Sequence, residues 1–159
     1  ALPIWRVTVA HEHAASAAML QLLGWLARSL EVPRAAPRVV LATPRGERHA
    51  FGAMMAASVA AHDGWHVTWL GADLPAAQIA AGAEHGGARA VGLSTAVQEP
   101  GLDRELGALR ELLPSHMPLL IGGPGAAFLA DAPGVTKVRD LAHWRALLAT
   151  HMTSAELES

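Results

Sequence analysis

Arg38-Val39-Val40-Leu41-Ala42-Thr43-Pro44-Arg45-Gly46-Glu47-Arg48-His49-Ala50-Phe51-Gly52 decides how this chain is read. A five-residue apolar run (38–42) has the length and β-branched content of a buried strand. Proline and glycine then close it. Phe51, Met54, Met55 and Val59 recur at helical spacing and predict a helix over 51–63. A strand that runs through a polar loop straight into a helix places that loop on the carboxyl edge of a sheet, where open α/β sheets bind ligands. His49 is the histidine of the nine that this position singles out, with Glu47 two residues before it and Gly52 three after.

Outward from this loop, strands and helices alternate. Strands are predicted at 66–70, 90–94, 118–123 and 135–138, and the turn Gly71-Ala72-Asp73-Leu74-Pro75 puts a proline into the first turn of the next helix. That helix ends at Gly86-Gly87. Leu102, Leu106, Leu109 and Leu113 mark a further helix, residues 125–131 a short one, and Asp140 caps a last one carrying Leu141, Trp144, Leu147 and Leu148. Short loops between such units require crossovers back to the same edge, and so a parallel sheet. The expected fold is α/β: a flavodoxin-like, five-stranded parallel sheet in the order 2-1-3-4-5. In that order strands one and three diverge, and loops 43–50 and 94–100 flank one crevice.

Before this unit, Thr8 can cap a helix running to about Glu31, with Met19, Leu22, Leu23, Leu26 and Leu30 along one stripe. Pro33 and Pro37 break the pattern. The expected organisation is an N-terminal segment of a helical cap, 1–36, and a ligand-binding domain, 37–159, with a frayed tail after Met152. A lone helix exposes its apolar stripe, so this one must pack on the domain, on further helices or on another copy.

Composition narrows the chemistry. Of 159 residues, 52% are hydrophobic and 16% charged, which is ample for a core. The absence of cysteine excludes disulfides, zinc–thiolate sites and thiol nucleophiles. A net charge of −2, with Lys137 as the sole lysine, argues against nucleic-acid binding. No apolar run reaches membrane-spanning length, and the default location is cytoplasmic.

Four ligand classes suit such a crevice. A dinucleotide requires G-x-G-x-x-G after the first strand, but here that loop reads P-R-G-E-R-H and the glycines follow strand four. A phosphoryl-accepting receiver domain needs an aspartate at the switch point, where the strands end instead in Ala42-Thr43 and Ser94-Thr95. Flavin mononucleotide needs a hydroxyl-rich loop, and only Thr43 is there. The fourth class is a corrinoid. Glu47-x-His49-x-x-Gly52, Ser94 after strand three and Gly122-Gly123 after strand four resemble, in order and spacing, the cobalamin-binding domains.

The resemblance implies that cobalamin's benzimidazole tail leaves cobalt and enters a slot between the central strands, and that His49 takes its place as the lower axial ligand. It further implies that Glu47 accepts a hydrogen bond from the other ring nitrogen. Gly52 lets the backbone approach the corrin, Ser94 (with Thr95 beside it) bonds the base at the slot floor, and Gly122-Gly123 leaves room for the nucleotide. The start Ala10-His11-Glu12-His13-Ala14-Ala15-Ser16 and the run Gly52-Ala53-Met54-Met55-Ala56-Ala57 are similar to light-responsive, cobalamin-dependent transcriptional regulators, without their DNA-binding helices.

In that family Glu12 and His13 would cover the upper ligand, typically 5′-deoxyadenosyl, together with a tryptophan ten residues earlier. Here Leu2 stands at that position, and Trp5 is the nearest tryptophan. Alternatively, residues 11–13 form a polar first helical turn. The ligand expected is adenosylcobalamin, or else methyl- or hydroxocobalamin. Related photoreceptors bind a bilin in the same architecture. The implied role is a sensory or regulatory module without turnover; the alternative is a corrinoid carrier in methyl transfer or a mutase subunit.

Overall fold

The computed structural model describes residues 8–153. A single five-stranded sheet runs β2-β1-β3-β4-β5, with every pairing parallel. The strands are β1 (Arg38–Pro44), β2 (His66–Leu74), β3 (Ala90–Ser94), β4 (Leu119–Gly122) and β5 (Val135–Val138). The helices are α1 (Val9–Ser29), α2 (Phe51–His62), α3 (Ala76–His85), α4 (Leu102–Leu112) and α5 (Leu141–Thr153).

Strand alternation divides the core into two layers. Val40 and Ala42 point to one face, where Ile79 of α3 and Leu102, Leu106 and Leu109 of α4 cover them. Val39 and Leu41 point to the other, against Ala57 and Ala60 of α2 and Trp144 and Leu148 of α5. Right-handed crossovers explain the division. The chain passes from β1 to β2 in one direction and from β2 to β3 in the other, so α2 and α3 fall on opposite faces. Loops after β1 and β3 therefore part at the carboxyl edge, as the strand order predicts.

Several boundaries differ from the sequence reading. β1 continues to Pro44 and β2 to Leu74 because the two stay paired past an irregularity, Leu41 with Trp69, Ala42 with Gly71, and Pro44 with Leu74. The short helix expected at 125–131 is a 3-10 turn, Pro124–Phe128, and Pro75 stands one residue before α3 rather than within it. α1 ends at Ser29, Leu30 being extended ahead of Pro33. Asp140 caps α5 as expected, its Oδ1 accepting the His143 amide at 2.7 Å.

The α1 helix rests on α2 through its C-terminal half. A Cβ on Gly24 would sit 3.5 Å from the Met54 methyl, and the Ser58 hydroxyl lies 3.4 Å from the Leu23 carbonyl. The other side of α1 leaves Met19, Leu22, Trp25 and Leu26 exposed. No helix among the described residues is long and apolar enough to cross a membrane.

Candidate functional site: a slot beneath a held histidine

Glu47 is the centre of the carboxyl edge. Its side chain is 0% exposed. One oxygen accepts the His49 amide at 2.7 Å and the His49 Nδ1–H at 2.6 Å. The other accepts the amides of Ala96 at 2.6 Å and Val97 at 3.3 Å, from the loop after β3. The Thr95 hydroxyl, which donates to the Val97 carbonyl at 2.8 Å, lies 3.3 Å from the same oxygen. One carboxylate thus ties together the two loops that part at the switch point. Burial pushes the carboxyl up, but the amides of His49 and Ala96, the His49 ring and the Val97 amide more than offset it and hold the group below the ordinary carboxylate value.

That carboxylate fixes which ring nitrogen faces it. An ionised carboxylate only accepts, so Nδ1 carries a proton, and in the neutral ring Nε2 is the nitrogen with the lone pair. The His49 side chain is 65% exposed, in contrast to the Glu47 that holds it. Among the described residues no group of three His, Cys, Asp or Glu side chains gathers to hold a metal ion.

A second brace holds the loop from the side of β2. Asp73 is the one non-glycine among the described residues with positive φ, at 59°. From that conformation its carboxylate accepts the Gly46 amide at 2.8 Å, and its own amide reaches the Thr43 hydroxyl and the Glu47 carbonyl, both at 3.0 Å. Thr43, fully buried, donates its hydroxyl to that same Glu47 carbonyl. Asp73→Ala should lower unfolding free energy by about 2 kcal/mol, from the lost hydrogen bond and the left-handed strain of alanine. Asp73→Asn, which tolerates that region and keeps an acceptor, should lose less than about 1 kcal/mol, both variants being measured by urea titration.

Next to His49 a slot of about 480 Å³ opens between the sheet edge, α2 and α5. Leu41, Leu93 and Val138 form the sheet side, Phe51, Gly52, Met55 and Ala56 the α2 side, and Leu141 and Trp144 the α5 side. Ser94, Ala96, Gly122, Gly123 and Pro124 also line it, with Arg139 and Asp140 at the junction of β5 and α5. The walls are mostly apolar, and the volume lies within the range of small-molecule sites.

Small residues make the slot possible. A Cβ on Gly52 would come within 2.5 Å of Ser94 Oγ, so a glycine is what lets α2 start against the end of β3. A Cβ on Gly122 would press on Val138 at 3.3 Å. Gly123 has a further reason: its φ is +98°, and a Cβ there would meet the Thr95 carbonyl oxygen at 2.2 Å. Trp144 lies over a glycine too, since a Cβ on Gly92 would fall 2.7 Å from its ring. Its indole N–H donates to the Ala56 carbonyl at 3.1 Å, which fixes the ring as a wall.

Glu47, His49, Gly52, Ser94, Thr95, Gly122 and Gly123 are therefore brought to one place. Glu12 and His13 are not: both are exposed in the first turns of α1, and neither lines the slot. From Glu12 to the contact with α2 at Leu23 is about 16 Å of helix. His11 is committed locally, its Nδ1 lying 3.2 Å from the Thr8 amide and 2.9 Å from the Thr8 hydroxyl. Trp5 lies outside the described residues. Sequence reasoning missed Trp144 as a slot wall, because its spacing from Leu141 and Leu148 is that of a core stripe, and it missed Asp73 and Arg139 altogether.

The fold has solved counterparts. A cobalamin-binding protein from Desulfitobacterium hafniense DCB-2 superposes with a TM-score of 0.51 at 20% identity, over 74% of this chain and 60% of that one. The methanol:cobalamin methyltransferase complex MtaBC of Methanosarcina barkeri gives 0.63 at 17%, over 91% and 58%. The monomethylamine corrinoid protein of the same organism gives 0.62 at 16%, over 91% and 72%. In sequence, 74 residues are 42% identical to the HTH-type transcriptional repressor CarA of Myxococcus xanthus, covering 46% of this chain and 26% of that protein. The match thus spans about a quarter of the repressor's length. The B12 binding domain model matches residues 37–140, from the turn before β1 to the cap of α5. That match covers more than half of the chain, and the chain belongs to the B12-binding domain family.

Proposed function

We propose that this domain binds cobalamin with its benzimidazole displaced into the slot and His49 Nε2 as the lower axial ligand, and that it does so as a sensory or regulatory module rather than an enzyme. The observation that carries the reading is the 2.6 Å contact between His49 Nδ1 and the wholly buried Glu47 carboxylate. It fixes the tautomer, orients the ring and raises the basicity of Nε2. When bound, cobalamin supplies a cobalt–carbon bond whose stability depends on the ligand beneath it. Gly52, Ser94 and Gly122 keep the slot clear, and its apolar walls exclude water from the tail.

The likeness to a transcriptional repressor supports regulation over catalysis. The Ala10–Ser16 segment supports light as the input and adenosylcobalamin as the preferred form. On this reading α1 belongs to a cap over the upper face, and its exposed row, Met19, Leu22, Trp25 and Leu26, is where partner helices or a second copy would pack. Absorption spectra of the purified protein with hydroxo-, methyl- and adenosylcobalamin, in darkness and after green light, test both parts. A spectrum unchanged from free cofactor defeats the binding mode. Indifference to light, with uptake of methyl groups at cobalt, replaces the sensor by a methyl carrier. Biliverdin belongs in the same panel, because a bilin adduct would replace the corrinoid reading.

Two variants sharpen these outcomes. Gly122→Leu should weaken binding of full cobalamin by about a hundredfold while sparing cobinamide, the corrin without its nucleotide, since side-chain bulk pressed against Val138 closes the slot. Equal loss of both ligands would refute the slot. Glu12→Ala with His13→Ala should alter the choice among methyl-, hydroxo- and adenosylcobalamin, or the rate of photolysis; no change in either returns residues 11–13 to a polar helix start.

A further inference from the structure

The slot carries one formal charge of each sign on its walls, Arg139 and Asp140, both where β5 gives way to α5. Asp140 is already committed. Its Oδ1 accepts the His143 amide at 2.7 Å and its carbonyl the Trp144 amide at 2.9 Å, so it caps α5. Arg139 is committed on one side only. Its Nε lies 3.4 Å, and its main-chain amide 3.3 Å, from His143 Nδ1. These hydrogen bonds leave the two terminal amino groups of an exposed guanidinium beside an apolar cavity.

We propose that Arg139 recognises the phosphodiester in the nucleotide arm of cobalamin, so that the domain prefers complete cobalamin to corrinoids lacking that arm. This rests on the base-off reading above. The arm joining the corrin to the benzimidazole carries one negative charge. Threading it into the slot would bring that charge among mostly apolar walls, where an uncompensated anion is strongly disfavoured. A guanidinium presents paired N–H donors that match two phosphate oxygens, which a point charge cannot do equally well. The first turn of α5 begins two residues later and adds positive potential on the same side. His143 engages the Nε edge and leaves the terminal amino groups to other partners. Asp140 opposes the phosphate through space, but its carboxylate is held by the helix it caps.

The test titrates the purified protein with hydroxocobalamin and, separately, with diaquocobinamide, which has the same corrin and no nucleotide. Arg139→Ala should weaken hydroxocobalamin about tenfold, the scale of a charge-assisted hydrogen bond, and leave cobinamide within about twofold. Arg139→Lys should recover part of the loss, and Arg139→Glu should exceed it. Because Arg139 is exposed, none of these changes opens the core. Equal loss on both ligands, or none on hydroxocobalamin, overturns the assignment. Failure of the underlying reading is distinguishable: the unmutated protein would then bind hydroxocobalamin with its benzimidazole still on cobalt, visible in the spectrum before any variant is made.

Discussion

His49→Ala protein is expected to bind hydroxocobalamin about a hundredfold more weakly and to lose the imidazole-ligated absorption spectrum, since mutating even the partners of a metal-ligating histidine weakens such sites 10- to 100-fold. The expectation follows from what surrounds the ring. His49 is largely exposed and its Nδ1 is already taken by Glu47, so only Nε2 is free to meet a ligand. Removing the imidazole deletes that atom without opening a core cavity, and the fold should be kept. The result to measure is therefore a change in spectrum and affinity at constant thermal midpoint. An unaltered spectrum would remove His49 from cobalt.

Glu47→Ala should be the most damaging single change to the apoprotein, lowering unfolding free energy by about 4 kcal/mol. Four N–H donors, from the His49 amide and ring, Ala96 and Val97, converge on this carboxylate, and alanine leaves the buried ones without a partner. Glu47→Gln tests the charge alone. Its amide has one acceptor oxygen and an NH₂ that must face N–H groups on one side or the other, so a loss of about 2 kcal/mol is expected. The pH dependence has a definite sign. A carboxyl held below its ordinary value in the folded state contributes stability above that ordinary value, and the contribution is lost as pH falls through the folded value. The Gln variant should therefore show a flatter acid limb in denaturant titrations across pH 2 to 6; equally steep limbs would mean that Glu47 does not supply this linkage.

The order of the sheet was legible because each strand is a short apolar run followed by a turn and a helical stripe, and right-handed crossovers leave few arrangements. The core of the site was legible for a different reason. Glu47, His49, Ser94 and Gly122-Gly123 all sit at strand ends, which the topology carries to one edge whatever the loops do. What escaped depends on tertiary partners. Trp144 spaces like any core residue of an amphipathic helix, and only the glycine at position 92 opposite it makes it a slot wall. Asp73 reads as a turn residue, and its left-handed φ is required only because Gly46 and Thr43 lie across the sheet edge from it. Gly123 reads as room for a ligand, while the nearest obstacle to a side chain is the Thr95 carbonyl of this protein's own backbone.

The double anchoring of the loop, by Glu47 from within and Asp73 from the flank, has a kinetic consequence. A socket finished before its guest arrives leaves little of the protein to reorganise on capture. On the proposed binding mode the slow event in loading then belongs to the visitor, which would first have to release its own base. Uptake should accordingly saturate at a ceiling common to any protein variant that leaves the two anchors intact.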